Sequence, residues 1–469
     1  MRKAGIPAYP WYPAGLYLLG VLHWLLFLGR ADPAGRGYDW PGSAYFYGVL
    51  REAVAGHTVP YHVTVAINGS TRFLANPGPP LVPHALLLPF LSTHSFVVLD
   101  CLILYTIGFA GSFMLKRAAG WSGTTFAVFF LLFNFNGFVT AHLAVGHPWT
   151  GYFLLPWFML LALGWIRRGP DLPVAVAVAV ILFAVTMQGF FHLALWCIAF
   201  LALASVRSRR AVRFAAIAAG CWILLAAVRI LPAALEFAGT DRLFWGGYRS
   251  GTELLAALVA VRDPGRPYFP AGIVGEAFRL GWWEYDMYLG WAGTAFVLYF
   301  GVWLRLGGGR AMNRLRFPEL DLPILVLAVL SLGSAYEFLY RLPLLASERA
   351  TSRLLILPLV ALITVGCARL DHWLGTGRKP RIKMMVTAVG VVLIAAGLAV
   401  HSWRWAVPNL PVTFLPEGTV FPAALAVRPD PVYKTVVAIG AAVTIVALTV
   451  ALAFLYRNRR GLRTRLSRI

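Results

Sequence analysis

Residues 37–83 read GYDWPGSAYFYGVLREAVAGHTVPYHVTVAINGSTRFLANPGPPLVP, a long polar and aromatic-rich segment in a chain otherwise made of apolar runs. It follows directly on the first hydrophobic run, so the rest of the chain reads as a membrane scaffold that carries this loop. Asp39 falls a few residues past that run, at about the depth of a bilayer surface. The next stretch predicts an amphipathic helix over 42–55, with Phe46, Val49, Leu50, Ala53 and Val54 on one face and Arg51 and Glu52 off it. Such a helix lies on the membrane surface and roofs a site.

Working outward, composition says the same. Of 469 residues 59% are hydrophobic and 13% charged, whereas a soluble domain is about half apolar and about a quarter charged. Apolar runs at 16–29, 95–115, 122–138, 149–166, 172–188, 190–206, 211–231, 286–304, 323–340, 352–370, 384–401 and 434–456 are each close to the ~20 residues that cross a hydrocarbon core. The expected fold is therefore all-α and polytopic, with about twelve transmembrane helices. Arg2 and Lys3 precede the first run, which is long enough to read as an uncleaved helix.

The formal charge of +22 sits in short runs between apolar stretches, such as Lys116/Arg117, Arg167/Arg168 and Arg207/Arg209/Arg210/Arg213. That is the positive-inside pattern with both termini cytoplasmic, and it argues against a nucleic-acid-binding stripe. The long loops, 31–94, 137–148, 232–285, 341–351 and 402–432, then face outward and carry most of the acids. Cys101, Cys197, Cys221 and Cys367 lie inside apolar runs without metal-ligand spacing and read as small buried hydrophobes. Gly307-Gly308-Gly309-Arg310 lacks the lysine–hydroxyl ending of a phosphate loop, so a cytoplasmic nucleotide site has no support.

Candidate chemistry gathers on the outer side. Asp39, between Tyr38 and Trp40 at a membrane exit, is expected to be partly desolvated, which raises a carboxyl toward the range of a general base. The structural alternative is a loop aspartate that caps the 42–55 helix. His142 and His147 fall in one short outer loop and can hydrogen-bond a phosphate or sugar, or anchor an interfacial turn. A metal site there lacks a carboxylate nearby in sequence.

Arg242 follows Asp241 in the 232–285 loop, which ends Gly281-Trp-Trp-Glu284-Tyr-Asp286. Trp282 and Trp283 read as an interfacial belt. Glu284 and Asp286 read as two costly acids at the mouth of a span, beside aromatic faces that suit a sugar. Arg349 and Arg353 stand four residues apart at the outer end of a span, a spacing that puts both guanidinium groups on one helix face. From there they can hold phosphate bidentately or snorkel with Glu348 as a local partner. Span centres carry few charges, which weakens a transport reading.

An N-terminal helix, then a long outer loop opening with an acid, then many spans resembles the GT-C superfamily of membrane glycosyltransferases. Asp39-Trp40, Arg51-Glu52, Gly56, Pro60, Ala75-Asn76-Pro77 and Pro83 are similar to elements of YfhO-like bacterial multi-spanning proteins, as are Gly146-His147-Pro148-Trp149 and Arg349-Ala-Thr-Ser-Arg353. The resemblance implies a GT-C-like catalytic core over 1–371, including periplasmic loop 31–94. A C-terminal transmembrane pair over 372–469 follows, with outer loop 402–432 and a basic cytoplasmic tail.

The resemblance also implies Asp39 as general base and a polyprenyl-phosphate-linked sugar as donor, with a glycan or lipid acceptor on the outer face of a bacterial inner membrane. His142, His147, Arg242, Glu284, Asp286, Arg349 and Arg353 would then line the substrate site. Trp40 stands where many such enzymes carry a second acid, which leaves use of a divalent cation open. A transporter or flippase of lipid-linked saccharides is the alternative.

Overall fold

The computed structural model describes residues 11–29, 38–67, 69–147, 149–238, 244–264, 267–268, 280–304, 315, 317–340, 348–376, 380–410 and 425–466. Among these, six helices are long and apolar enough to cross a membrane: Thr93–Ala119, Gly123–Ala144, Thr150–Arg168, Thr351–Gly375, Pro380–Trp405 and Pro431–Arg457. The pair Arg209–Leu225 and Ala227–Phe237, bent by 81° at Ala226, makes a seventh if counted as one span. The chain is an all-α membrane protein, but the described residues do not form the twelve full spans expected from hydropathy.

The reason is that hydropathy sums apolar residues and cannot see where the helical ladder stops. Tyr12–Leu28, Leu172–Met187 and Phe191–Ser205 are apolar but only 17, 16 and 15 residues long. The run expected at 286–304 opens with irregular chain, continues as the seven-residue helix Gly290–Phe296, and ends in a π-helix over Val297–Trp303. The run at 323–340 divides at Ser331–Leu332 into Asp321–Leu330 and Gly333–Tyr340. There the freed backbone groups pair with Tyr248: its N–H donates to Ser331 O at 3.0 Å, and its carbonyl accepts from Gly333 N at 3.0 Å. In a bilayer such breaks persist only where protein satisfies the backbone.

One span is the hub. The most apolar window of Gly123–Ala144 is entirely buried, whereas those of Pro380–Trp405 and Pro431–Arg457 are each only 22% buried and form the rim. The hub is itself two helices, Gly123–Asn134 and Gly137–Ala144, interrupted at Phe135–Asn136. Asn136 makes the interruption tolerable. Its side-chain oxygen accepts from Val139 N at 3.4 Å to cap the second helix, and its amide donates to Leu132 O (3.0 Å), Phe133 O (2.9 Å) and Tyr152 Oη (2.8 Å). An asparagine that strong in local bonding restarts the helix within what the sequence suggested was an outer loop.

Outside the helices, His62–Ile67 pairs antiparallel with both Ser70–Arg72 and Leu425–Ala426 in a three-stranded sheet. Arg72 extends this join. Its Nε lies 2.8 Å from Asp430 Oδ2, its Nη1 2.8 Å from Glu236 Oε2, and its guanidinium covers the Tyr433 ring at 5.1 Å. The first extramembrane segment is thus fastened to the start of the last long helix. The helix expected over 42–55 forms over Trp40–Ala55; of its predicted apolar face Val49, Leu50 and Ala53 are buried and Phe46 and Val54 half-buried, and Trp40, Tyr45 and Tyr47 are buried as well. Arg51, off that side, donates to Leu88 O, Leu91 O and Thr93 Oγ1 and pins the turn leading into the Thr93–Ala119 span.

The hub break gives a direct check. Asn136→Leu removes a helix cap and leaves buried carbonyls and the Tyr152 hydroxyl short of partners. The expected loss is about 2 kcal/mol of stability, seen as a lower midpoint of thermal unfolding in detergent. Asn136→Asp, which keeps the cap, should recover part of it.

Candidate functional site

The Trp40–Ala55 helix and the end of the hub are latched by one backbone–backbone and two side chain–backbone hydrogen bonds. Asp39 N donates to Val145 O at 3.0 Å, Trp40 Nε1 to Ala144 O at 2.7 Å, and Ser43 Oγ to Gly146 O at 2.6 Å. Gly146 has φ of 92°, and a Cβ there would lie 2.5 Å from Trp40 N, so only glycine permits this approach. Tyr38, just before the latch, is held at φ of 61°, a left-handed conformation uncommon for an aromatic residue. Its ring meets Trp283 edge-on with centroids 5.1 Å apart.

The latch aims two side chains at each other. Asp39 occupies the N-cap position of Trp40–Ala55, yet its side chain caps nothing. The carboxylate pairs instead with Nε2 of His147. The capping alternative therefore fails, and so does the expectation that Asp39 is desolvated: its side chain is 56% exposed. A base here owes its environment to the imidazole beside it and not to burial.

His142 lies three residues before the latch ends, inside the hub helix and not in a loop, and is fully buried. Its Nδ1 sits 2.8 Å from Phe138 O, and a carbonyl can only accept, so the proton is on Nδ1 and the Nε2 lone pair is free. That lone pair faces Glu284 Oε2 at 3.8 Å. Glu284 in turn receives a bidentate fork from Arg353, Nε to Oε2 at 2.6 Å and Nη2 to Oε1 at 2.5 Å. Burial is the largest single influence on the Glu284 carboxyl and pushes it up, but the charge and bidentate fork of Arg353 act the other way, and the acid is held well below the usual carboxylate range.

Trp149 backs the cluster. Its ring stacks on His142 and His147 with centroids 4.4 and 4.7 Å away, and Arg353 covers it at 4.6 Å. Phe190 stacks on its ring as well, with centroids 4.4 Å apart. Among the described residues, His142, His147 and Glu284 each offer one ligand atom within 4.8 Å of the others. His142 Nε2 and His147 Nδ1 are buried without a hydrogen-bond partner. The carboxylate that a metal site lacked in sequence arrives from more than a hundred residues away.

Other expected site residues are placed elsewhere. Glu284 and Asp286 do not act as a pair, because the irregular backbone between them turns two near neighbours to different sides. Asp286 is wholly buried, and its Oδ2 takes His401 Nε2 at 2.9 Å and Trp405 Nε1 at 3.0 Å, fastening the Pro380–Trp405 helix. Arg349 and Arg353 share no helix face, because residues 348–350 are not helical and Thr351–Leu355 is a 3₁₀ turn. Arg349 stacks over Trp245 at 5.0 Å, apart from its neighbour's role. Trp282 and Trp283 are buried and not an interfacial belt; Arg262 covers Trp282 at 4.2 Å. Arg242 lies outside the described residues.

Glu348 was visible in sequence only as a local partner. It is buried, accepts from Trp196 Nε1 at 2.8 Å, and with Glu284 and Asp39 acts electrostatically on Arg353. Trp149 stood out in sequence only as the end of Gly146-His147-Pro148-Trp149, and Trp196 and Phe190 carried no signal beyond being aromatic in apolar runs. No family model matches this chain, and neither curated proteins nor solved structures give a match.

Two checks follow from this geometry. Gly146→Ala should displace Trp40 and with it Asp39, lowering stability by about 1–3 kcal/mol; restored stability in a variant with no loss of the Asp39–His147 contact would contradict the latch. Burial, above all, raises the Glu348 carboxyl from 4.5 to about 7. The unfolded chain then ionises at a lower pH than the folded one, so stability falls as pH rises through that interval. Between about pH 5 and about pH 8 the wild type should lose on the order of 3 kcal/mol that Glu348→Gln does not lose, measured as paired melting curves.

Proposed function

We propose that this protein is a membrane glycosyltransferase working at the outer face of a bacterial inner membrane, with both termini cytoplasmic. It moves a sugar from a polyprenyl-phosphate donor to a lipid-linked or cell-surface glycan. The observation that carries this reading is the direction of Asp39: an acid from the first outer segment leaves its helix uncapped, stays open to water, and is held by His147 beside a buried Glu284–Arg353–His142 cluster.

In the reaction, a hydroxyl oxygen of the acceptor attacks the anomeric carbon of the donor sugar. Asp39 takes the hydroxyl proton as the new C–O bond forms, and the bond from the anomeric carbon to the phosphate oxygen breaks with its electron pair. His147 orients the carboxylate and is the group through which the proton can pass on. The departing lipid phosphate leaves with negative charge, which falls to the guanidinium of Arg353. Nucleotide-activated sugars are not expected on that side of the membrane, whereas a lipid-linked donor reaches the site laterally.

A second reading, movement of lipid-linked saccharides without chemistry, is favoured by the 81° bend at Ala226 and by Arg229 beside it. Arg229 is buried and donates to Pro77 O at 2.7 Å and Pro79 O at 2.6 Å. Broken helices with polar groups at the break are a transporter feature.

The test compares lipid-linked and surface glycans by mass spectrometry in wild type, a deletion strain and Asp39→Asn. Loss of the same single sugar unit in deletion and variant, with the protein still in the membrane at wild-type level, is the expected result. A deletion defect that Asp39→Asn fully rescues would leave the aspartate structural and favour movement over transfer.

A further inference from the structure

A close feature of the cluster is that its two imidazoles are prepared in the same way. In His142 one nitrogen is committed to a backbone carbonyl, Phe138 O at 2.8 Å, and the other, buried, has no hydrogen-bond partner. In His147 one nitrogen is committed to the Asp39 carboxylate, and the other is again buried without a partner. A buried polar atom left unsatisfied costs on the order of 1–3 kcal/mol, so two in one cluster call for a shared cause. A carbonyl or carboxylate behind an imidazole is the usual outer support of a metal-ligating histidine, because it fixes the tautomer and makes the facing nitrogen more basic.

The third donor is in place. One atom each from His142, His147 and Glu284 lies within 4.8 Å of the others, a spacing that an ion with ligand bonds of about 2.0–2.2 Å can bridge with small side-chain shifts. Charge agrees as well. Arg353 is subject to three carboxylates, Glu284, Glu348 and Asp39. Its fork takes one lone pair from each Glu284 oxygen, and Oε2 still faces His142 at 3.8 Å. Arg353 thus stands behind Glu284 as the first carbonyl stands behind His142, holding the carboxylate plane for a further ligand.

We infer that His142, His147 and Glu284 bind one divalent transition-metal ion of the zinc class, with Asp39, Phe138 O and Arg353 as its outer supports. Two imidazoles and one carboxylate favour such an ion over magnesium or calcium, which take oxygen donors. Three protein donors leave a coordination position open, as in catalytic and not structural sites. The inference adds to the transferase reading, but it does not require that reading to hold.

The experiment uses the full chain purified in detergent. Zinc is added, unbound metal is removed, and metal content is measured by plasma mass spectrometry; separately, cobalt(II) is titrated and its visible ligand-field absorption recorded. The expected result is about one zinc per chain, a cobalt band displaced by zinc, and at least about a tenfold weaker affinity in His147→Gln and His142→Ala, in line with loss of one ligand or more. His147 is partly exposed, so His147→Gln is the variant expected to stay folded.

Wild-type protein that binds no zinc and gives no cobalt band overturns the inference. So does zinc bound equally by wild type and His147→Gln, since the metal would then sit elsewhere. Neither readout involves sugar transfer. Metal binding without any glycan phenotype would sink the transferase reading and keep the site, and the reverse outcome would do the opposite.

Discussion

Everything at the candidate site depends on one backbone contact, the approach of residues 38–43 to residues 144–146. Three hydrogen bonds make it, and a glycine with positive φ permits it. A surface helix alone would sample many orientations over a bilayer, since its burial is not directional. The latch replaces that freedom with a fixed register relative to the most buried span. Asp39 can be exposed and still be positioned, because the main chain on both sides of it is not free to move.

The same contact explains how donors from distant sequence positions converge. His142 and His147 flank the latch on the hub side, Asp39 on the other. Glu284 and Arg353 reach the space between them through a 3₁₀ turn each, Trp282–Glu284 and Thr351–Leu355. Short turns of this kind place a side chain without the periodic neighbours that an α-helix imposes. The cluster is built at the broken ends of helices, where backbone irregularity is satisfied by protein and side chains can turn inward.

Much of this was legible in advance, and the misses share a cause. The apolar face of the 42–55 helix followed from periodicity alone, and membrane class from composition. Asp39, His142, His147, Glu284 and Arg353 stood out because charged or titratable residues at a membrane border are costly. The span number failed because three apolar helices stop at 15–17 residues and because breaks at Ala226, at 286–289 and at Ser331 are local features that a hydropathy sum does not contain. Asp286 was indistinguishable from Glu284 in sequence; only the turn between them sends one to the cluster and the other to His401. The Arg349–Arg353 spacing misled because a four-residue interval has meaning only if the segment is α-helical. Glu348 and the ring of Trp149 could not be weighed at all, since their roles exist only across elements.

The asparagine break in the hub bears on how the chain enters a membrane. The bonds from Asn136 to Leu132 O and Phe133 O stay inside Gly123–Ala144, but the hydroxyl that completes the set, Tyr152, belongs to the next span. Entering the membrane together, as a helical hairpin, keeps both Tyr152 bonds intact. The connection between the two helices carries Gly146 and His147, so half of the candidate site travels with the hairpin, whereas Glu284 and Arg353 come from chain synthesised later.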